Sequence, residues 1–432
     1  MKRIRTGVAA CVAALLAAGP CAAASAPATE KLSLKLAEDT AVINHPQVSA
    51  ALLSALATNE VIRETRAAYF PTLWANVTTA DAATGTRLAA GALNNPTVFD
   101  RNAVGLAASQ LLTDFGRTAR LVASARMRAQ ADARSVDFVR ADVLVQVDVS
   151  YLAALKARAV LEVARDTLNL RSAVFDQVSQ LASNKLRGGL DVSVAKVALD
   201  DARLLVSRTE NEQEAARSAL ALAMGVAEAP LALEDLPLPP APEKDPGPLI
   251  REALAIRSDL AALRLGQGAA VEFARAEADL TNPTITAFGN AGLVDGDPKT
   301  FREPYSAVAV NVTVPVFNGG LFSARKKEAR LRADLVGQRV RDLENRIAND
   351  VRVAWLNART AFERLGLAAD QMTAATEAYD LTQGRYTMGL SSIVDLAQAQ
   401  AALTAARILD SSARYDALTQ LAVLRHHIGR PR

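Results

Sequence analysis

The chain has 432 residues, of which 50% are hydrophobic, 22% charged and 4% aromatic, so it is a folded protein of one elongated or two ordinary domains and not a disordered tail. Its formal charge of +3 equals the charge of the three basic residues near its start, Lys2, Arg3 and Arg5. Without these residues the chain is neutral, which argues against a nucleic-acid-binding protein because phosphate contacts need a basic surface.

Residues 1–26 have the pattern of an export signal peptide. A basic start is followed by the apolar run Val8–Ala18 and by small residues that suit signal-peptidase cleavage. The run is too short to span a bilayer. Cleavage would remove Cys11 and Cys21, leaving no thiol for a disulfide, a zinc site or a nucleophile. In the alternative, Cys21 is a lipidated cysteine, although Ala18-Gly19-Pro20 departs from the usual sequence before such a residue.

Four segments alternate between apolar and small or polar residues with the period of a β-strand. They are Thr72–Thr79, Asn102–Leu112, Thr284–Leu293 and Ser306–Val316. Ten of the nineteen aromatic residues lie in or beside them, which fits an aromatic belt at a membrane interface and also the general preference of sheets for aromatic residues. Four strands cannot close a barrel in lipid, so we expect several chains to share one barrel.

Two long segments lack the residue that most strongly interrupts helices. No proline lies in residues 97–229 or 316–430. Because proline costs a helix interior about 3 kcal/mol, these alanine- and leucine-rich segments predict helices of up to ~70 residues, packed as antiparallel coiled coils. The expected breaks are Arg187-Gly188-Gly189 and Thr387-Met388-Gly389. The predicted fold is therefore mainly α with a small β part.

An internal repeat relates the two halves of the chain. Residues 190–199 align without gaps onto residues 394–403 at an offset of 204. We divide the mature chain into repeat 1 at 27–227, a proline-rich linker at 228–248 and repeat 2 at 249–432. In each repeat, helical sequence precedes a β-hairpin and a long helical hairpin, at about 71–113 and 117–225 in repeat 1 and at about 283–316 and 319–429 in repeat 2.

Three motifs, taken with their order, spacing and duplication, resemble the TolC family of outer-membrane efflux proteins over nearly all of the mature chain. They are Arg66–Thr72 entering the first strand, Val314–Gly320 opening a long helix, and Arg385–Gly389 followed by Ile393–Leu396. The resemblance implies a homotrimer, in which four strands per chain form one twelve-stranded β-barrel in outer-membrane lipid and the helices continue as a periplasmic α-barrel. It also implies passive efflux or type I secretion without a cofactor, with a periplasmic adaptor (membrane fusion protein) and an inner-membrane pump of RND or ABC type as partners.

The resemblance points to acidic residues at the periplasmic end of the helices. Asp395 matches a position that faces the pore, where three copies would form a carboxylate ring that favours cations and raises the pKa of its members. The alternative is a carboxylate at a helix start, stabilised by the helix dipole. The family's second aspartate is Gln398 in this chain, so the second ring lacks its carboxylate.

A gate contact is the second expectation that the resemblance carries. Asp191 is the repeat mate of Asp395, and its position implies a polar link to Tyr386 that keeps the entrance closed. The basic residue expected between Gly389 and Asp395 is absent from the sequence. For Asp191 we prefer the alternative of a solvated aspartate at a helix start.

The turns of the two helical hairpins are the expected adaptor contacts. The residues are Gly188, Gly189, Leu190, Gly389 and Leu390. Turn chemistry alone also explains glycine at such positions.

Enzyme chemistry is not indicated by the sequence. The histidines are His45 and the adjacent His426 and His427, which point to different faces of a helix, and no HExxH, GxSxG or P-loop motif occurs. We therefore predict a channel and no catalytic or metal site. The competing hypothesis is a soluble periplasmic coiled-coil structural or adaptor protein, whose strands would enclose a small core of their own.

Overall fold

The computed structural model describes residues 31–83, 86, 101–230, 232–295 and 301–430. The first half contains α1 (Leu34–Asn44), α2 (Pro46–Arg66), β1 (Thr72–Ala80), β2 (Arg101–Thr113), α3 (Arg117–Ser183) and α4 (Gly189–Met224). The second half contains α5 (Gly247–Ile256), α6 (Ser258–Ala278), β3 (Thr284–Asp295), β4 (Phe301–Thr313), α7 (Leu321–Thr387) and α8 (Ile393–Ile428). The signal peptide expected at 1–26 lies outside the described residues.

Three of the four pairs of corresponding helices in the two halves have equal lengths, and α1 and α5 differ by one residue, with 11 and 10. Helices α2 and α6 have 21 residues each, α3 and α7 have 67, and α4 and α8 have 36. At 1.5 Å per residue, α3 and α7 are each ~100 Å long. No helix in the described part of the chain is both long and apolar enough to cross a membrane. The predicted fold class, mainly α with a small β part, is confirmed.

The four strands form one antiparallel sheet in the order β1-β2-β3-β4. Thr72 pairs with Ser109, Ser109 with Phe288, and Phe288 with Ala309. The strand predicted at Ser306–Val316 begins and ends earlier, at Phe301–Thr313. Its end is earlier because Pro315 has no amide hydrogen for the ladder.

The helices follow the same lateral order as the strands. Helix α2 leads into β1, β2 into α3, α6 into β3, and β4 into α7. Contacts join α2 to α3, α3 to α6, and α6 to α7, while α4 packs along α3 and α8 along α7. In one chain, α2 and β1 therefore form one lateral edge, and α7 and β4 form the other.

A buried ion cluster fastens the helices next to the sheet. Glu277 of α6 is only 3% exposed, and its carboxylate lies 2.7 Å from Arg325 Nε of α7 and 3.7 Å from Arg117 Nη2 of α3. Beside it, Arg120 Nε of α3 lies 2.6 Å from the Asp279 carboxylate. The cluster thus joins α3, α6 and α7 near the points where the chain passes between helix and strand.

Residues 228–248, expected as a linker, are held against the long helices, and we call this segment the strap. Five side chains, two from α3 and one from each of α4, α7 and α8, donate hydrogen bonds to its backbone carbonyls. They are Tyr151 to Glu234 (2.7 Å), Arg158 to Leu233 (3.0 Å), Arg217 to Ala229 (2.6 Å), Trp355 to Glu243 (2.7 Å) and Arg414 to Leu236 (2.6 Å). Both helical hairpins are thereby tied to one segment.

Candidate functional site

Each helical hairpin ends in a turn, and we call the regions at these turns tip 1 (residues 184–190, including the first two residues of α4) and tip 2 (residues 388–392). A shared apolar core lies directly behind them, contributed by all four long helices. Its buried members are Val174, Val178, Ala195, Tyr379, Tyr386, Ile393, Leu396 and Leu403. This core holds the two tips of one chain side by side.

Both tips end their first helix with the same backbone motif. At tip 2, Gly389 has a φ of 74°, and Leu390 N donates to Arg385 O at 2.8 Å. At tip 1 the residue in this left-handed conformation is Lys185, with a φ of 60°. Leu186 N donates to Leu181 O at 2.9 Å in the same way. This is the Schellman arrangement, in which the left-handed residue satisfies carbonyls at a helix C-terminus.

The predicted helix break at Arg187-Gly188-Gly189 overlaps the observed one at residues 184–188, but α3 ends earlier than predicted, at Ser183. Gly188 is the N-cap of α4 with an extended φ of −87°, and Gly189 is the first residue of that helix. A methyl group added to either glycine would meet no atom of the chain within 4 Å. Neither the backbone conformation nor a close contact within the chain requires glycine at these two positions.

Asp395 lies exposed in the first turn of α8 and takes part in a capping box. Its carboxylate accepts hydrogen bonds from Ser392 N at 3.0 Å and Ser392 Oγ at 2.8 Å. These bonds hold the pKa of Asp395 below its usual value. The helix-start role that the sequence left open is thus present in the chain. Gln398, one turn later, is exposed too.

Tyr386 is buried, 3% exposed, and its contact with tip 1 is made by Arg187. Arg187 Cζ lies 4.4 Å from the centre of the Tyr386 ring, and Arg187 Nη2 donates to Tyr386 O at 3.0 Å. Burial raises the pKa of Tyr386. The Tyr386 hydroxyl forms no hydrogen bond with the described residues, so the polar link expected from Asp191 is not formed within this chain.

Arg187 is the residue that the sequence reasoning missed. The resemblance implies a basic residue after Gly389, on the same hairpin as Tyr386. The structure instead supplies a cation from the neighbouring hairpin, just before Gly188. The sequence does contain one signal for this role. Tip 2 lacks the expected basic residue, and tip 1 contains Arg187.

Leu190 and Leu390 project from the tips as exposed apolar side chains, 73% and 65% exposed. Leu186 and Met388 beside them are 69% and 68% exposed. Four large apolar side chains in open contact with water are costly in a monomer, so this surface has the character of a contact site for another protein.

The three histidines, which sequence spacing kept apart, line one cavity of about 480 Å³ between α3, α4 and α8, together with Asp142. Burial lowers the pKa of both His426 and His427. The described residues contain no group of three or more potential ligands placed to hold a metal ion.

The sequence profile of the family described as "Outer membrane efflux protein" matches residues 38–226 and 249–430. The outer membrane protein TolC of Salmonella enteritidis is 22% identical over 191 residues, which span 42% of this chain and 39% of that protein. The pyoverdine export outer membrane protein OpmQ of Pseudomonas aeruginosa is 26% identical over 76% of this chain and 68% of its own length.

The solved structure of the outer membrane protein VceC from Vibrio cholerae has the same fold, with a TM-score of 0.78 and 17% identity over 92% of this chain and 96% of that one. Since the family profile covers most of its residues, the competing hypothesis of a soluble periplasmic protein is wrong, and the chain belongs to the outer membrane efflux protein family and is a protein of the outer membrane.

Proposed function

We propose that three copies of this chain form the outer-membrane channel of a tripartite efflux or type I secretion system. An inner-membrane pump of RND or ABC type, joined through a periplasmic adaptor, would deliver substrates to it and supply the energy. The channel itself would be passive and carry no catalytic site or cofactor.

The main support for this proposal is the arrangement of the edges of the protomer. In the described part of the chain, the sheet and the helical layer next to it each have two edges without a partner, and the edges of the two layers lie on the same sides. Strands β1 and β4 are the outer strands of the sheet, and α2 and α7 are the outer helices of the layer next to it. An open sheet edge is not stable in lipid. Head-to-tail association closes both layers at once, because β4 and α7 of one copy then meet β1 and α2 of the next.

The exposed apolar side chains of the two edges support this pairing. Leu53 and Leu56 of α2 are 66% and 54% exposed, and Leu331 and Leu335 of α7 are 59% and 50% exposed. Leu56 and Leu331 each lie ten residues from the sheet-side end of their helix, so they stand at similar heights. In a ring of copies the two leucine pairs would cover each other.

A disulfide-trapping experiment tests the ring directly. The mature chain is predicted to contain no cysteine, so Leu56→Cys combined with Leu331→Cys introduces the only thiols. Under oxidising conditions in outer membranes we expect a ladder of covalent dimer and closed trimer on non-reducing gels, with no larger species. Either single variant is the control and should stay monomeric.

A ladder that continues beyond three copies would contradict the closed trimer. Failure of all four combinations of Leu53 or Leu56 with Leu331 or Leu335 would contradict the pairing of α2 with α7.

The tips are proposed to bind the adaptor. Their support is the exposed surface of Leu186, Leu190, Met388 and Leu390, together with a glycine pair that the chain does not need for its own folding. Backbone without side chains allows another helix to approach closely. We therefore assign Gly188 and Gly189 to close contact with a partner, while Gly389 serves its own turn.

Substituting both glycines separates folding from adaptor binding. Gly188→Ala with Gly189→Ala should leave trimer formation and thermal stability unchanged, since alanine fits both positions. A photo-crosslinking amino acid at Leu190 should capture a periplasmic protein in living cells. We expect the alanine pair to lower this yield roughly tenfold, as for residues at the centre of an interface.

The matched control places the same crosslinker at Leu367, which is 68% exposed in the middle of α7. Equal capture from Leu367 and Leu190, or an undiminished yield in the alanine pair, would reject the tips as the adaptor site.

A further inference from the structure

Exposed aromatic side chains mark three of the four points where the chain passes between helix and strand. Phe70 precedes β1, Phe115 lies between β2 and α3, and Phe317 lies between β4 and α7, with exposures of 64%, 56% and 89%. Phe115 has a φ of 55°, a backbone angle that residues other than glycine seldom adopt. Aromatic rings at the end of a membrane-spanning sheet are typical of the lipid–water interface.

Basic side chains without an ion-pair partner among the described residues lie on the helices beside these rings. They are Arg66 at the end of α2 and Lys326, Lys327 and Arg330 in the first turns of α7, and we call them the basic collar. All four are exposed, and no salt bridge joins them to the described residues. Lys326 lies five residues beyond the start of α7, which places it ~8 Å along the helix from the sheet side.

Two other arginines near the start of α7 do have partners. Arg325 is paired with the buried Glu277, and Arg332 is paired with Glu328. Asp279, which directly follows α6, is also paired, with Arg120. Glu277 and Asp279 are thus already paired with arginines, whereas the collar cations remain available for an anion from outside the chain.

We propose that the basic collar binds the phosphate groups of anionic phospholipids in the leaflet that faces the helices. The proposal rests on the proposed function, because it requires the sheet to span the membrane and α7 to meet α2 of the next copy. Association of three copies would then bring Arg66 of one copy close to Lys326 and Lys327 of its neighbour. Clustered lysines and arginines next to a membrane segment attract anionic headgroups in this way.

The aromatic rings and the collar have complementary parts in this contact. The rings fix the height of the lipid boundary, and the cations one to three turns further along α7 lie in the headgroup region. Each collar patch would hold lipid at a seam between copies, where two edges of the sheet meet.

Lipid titration of the purified trimer, followed by native mass spectrometry, tests the collar. The probes are phosphatidylglycerol and the neutral phosphatidylcholine. Lys326→Gln with Lys327→Gln should weaken phosphatidylglycerol binding by roughly fivefold for each lysine removed and leave phosphatidylcholine binding unchanged. Arg339→Gln with Arg341→Gln is the matched control, because it removes two exposed charges further along the same helix.

Unchanged phosphatidylglycerol affinity in the lysine variant would overturn the proposal, and so would an equal loss in the arginine control. Glu64, an exposed carboxylate near the end of α2, is the competing anion from a neighbouring copy. If Glu64→Gln and the lysine variant loosen the trimer equally without a change in lipid affinity, the collar is an intersubunit ion pair and the proposal fails. Arg330→Gln, measured in the same way, replaces the lysine variant if that one does not assemble.

The cysteine ladder distinguishes this failure from failure of the proposed function. A normal ladder with no lipid effect rejects only the collar, whereas a missing ladder in the otherwise unchanged chain rejects the trimeric ring itself.

Discussion

Arg187→Ala is expected to open the tips and to raise the single-channel conductance of the protein in planar bilayers. The substitution removes the contact of the guanidinium with the Tyr386 ring and its hydrogen bond to the Tyr386 carbonyl. A cation–π contact and a charge-assisted hydrogen bond at a partly exposed site are together worth about 2 kcal/mol. The ratio of open to closed tips in each copy should therefore rise roughly thirtyfold.

Two further variants identify which part of Tyr386 matters. Tyr386→Phe keeps the ring and should leave conductance unchanged, because the hydroxyl has no hydrogen bond in the described chain. Tyr386→Ala should behave like Arg187→Ala. If Tyr386→Phe opens the channel and Arg187→Ala does not, the link from Asp191 implied by family resemblance is the gate, and the Arg187 contact is incidental.

Charge removal at the same tip supplies the control. Lys185→Asn removes a cation two residues away and suits the left-handed backbone of that position, so conductance should not change. Asp395→Ala should instead weaken the preference for cations, because it removes the carboxylate proposed to ring the pore. Conductance and ion preference would then separate into effects of two different residues.

Glu277→Ala is expected to cause the largest loss of stability of any single substitution next to the sheet. The carboxylate is 3% exposed and faces Arg325 and Arg117, so its removal leaves two partly buried guanidinium groups without their counter-charge. Breaking a fully buried ion pair from one side costs about 3 to 5 kcal/mol, and we expect the lower end of this range because water reaches the two arginines, which are 43% and 32% exposed. Unfolding of the detergent-solubilised protein in guanidinium chloride, followed by circular dichroism, should show a clearly lower midpoint.

Glu328→Ala is the matched control for this loss. Glu328 pairs with Arg332 at 2.6 Å on the same helix as Arg325, but both side chains are more than half exposed. An exposed pair one turn apart on a helix contributes about 0.5 kcal/mol or less. Equal midpoints for the two variants would show that the Glu277 cluster has no special structural role.

The helical architecture followed from the sequence because its causes are local. Proline is absent from the long helices, and the offset of 204 made each half a guide to the other. The equal helix lengths show how closely the two halves agree. The end of α3 was predicted too late because a glycine was expected at the left-handed position of the turn. The residue at that position is Lys185, which is equivalent to Gly389 in tip 2.

The contacts that shape the candidate site depend on long-range packing that the sequence does not display. Arg187 meets Tyr386 only because two hairpins, 199 residues apart in the chain, lie side by side. Glu277 reads as an ordinary surface residue between arginine and aspartate neighbours, and only the convergence of α3, α6 and α7 buries it. The sequence did indicate Asp395 as a residue at a helix start, since it lies shortly after the turn at Gly389, and the structure adds the capping serine three positions before it.

The strap fixes the long helices at points far from the tips. It is hydrogen-bonded to Arg158 of α3 and Trp355 of α7, and the helix segments between these residues and the tips are about 40 to 50 Å long. A pivot of only about 10° there would displace each tip by roughly 8 Å, while the segments on the sheet side stay in place. In the proposed trimer, such a pivot would widen the entrance between the tips without disturbing the sheet.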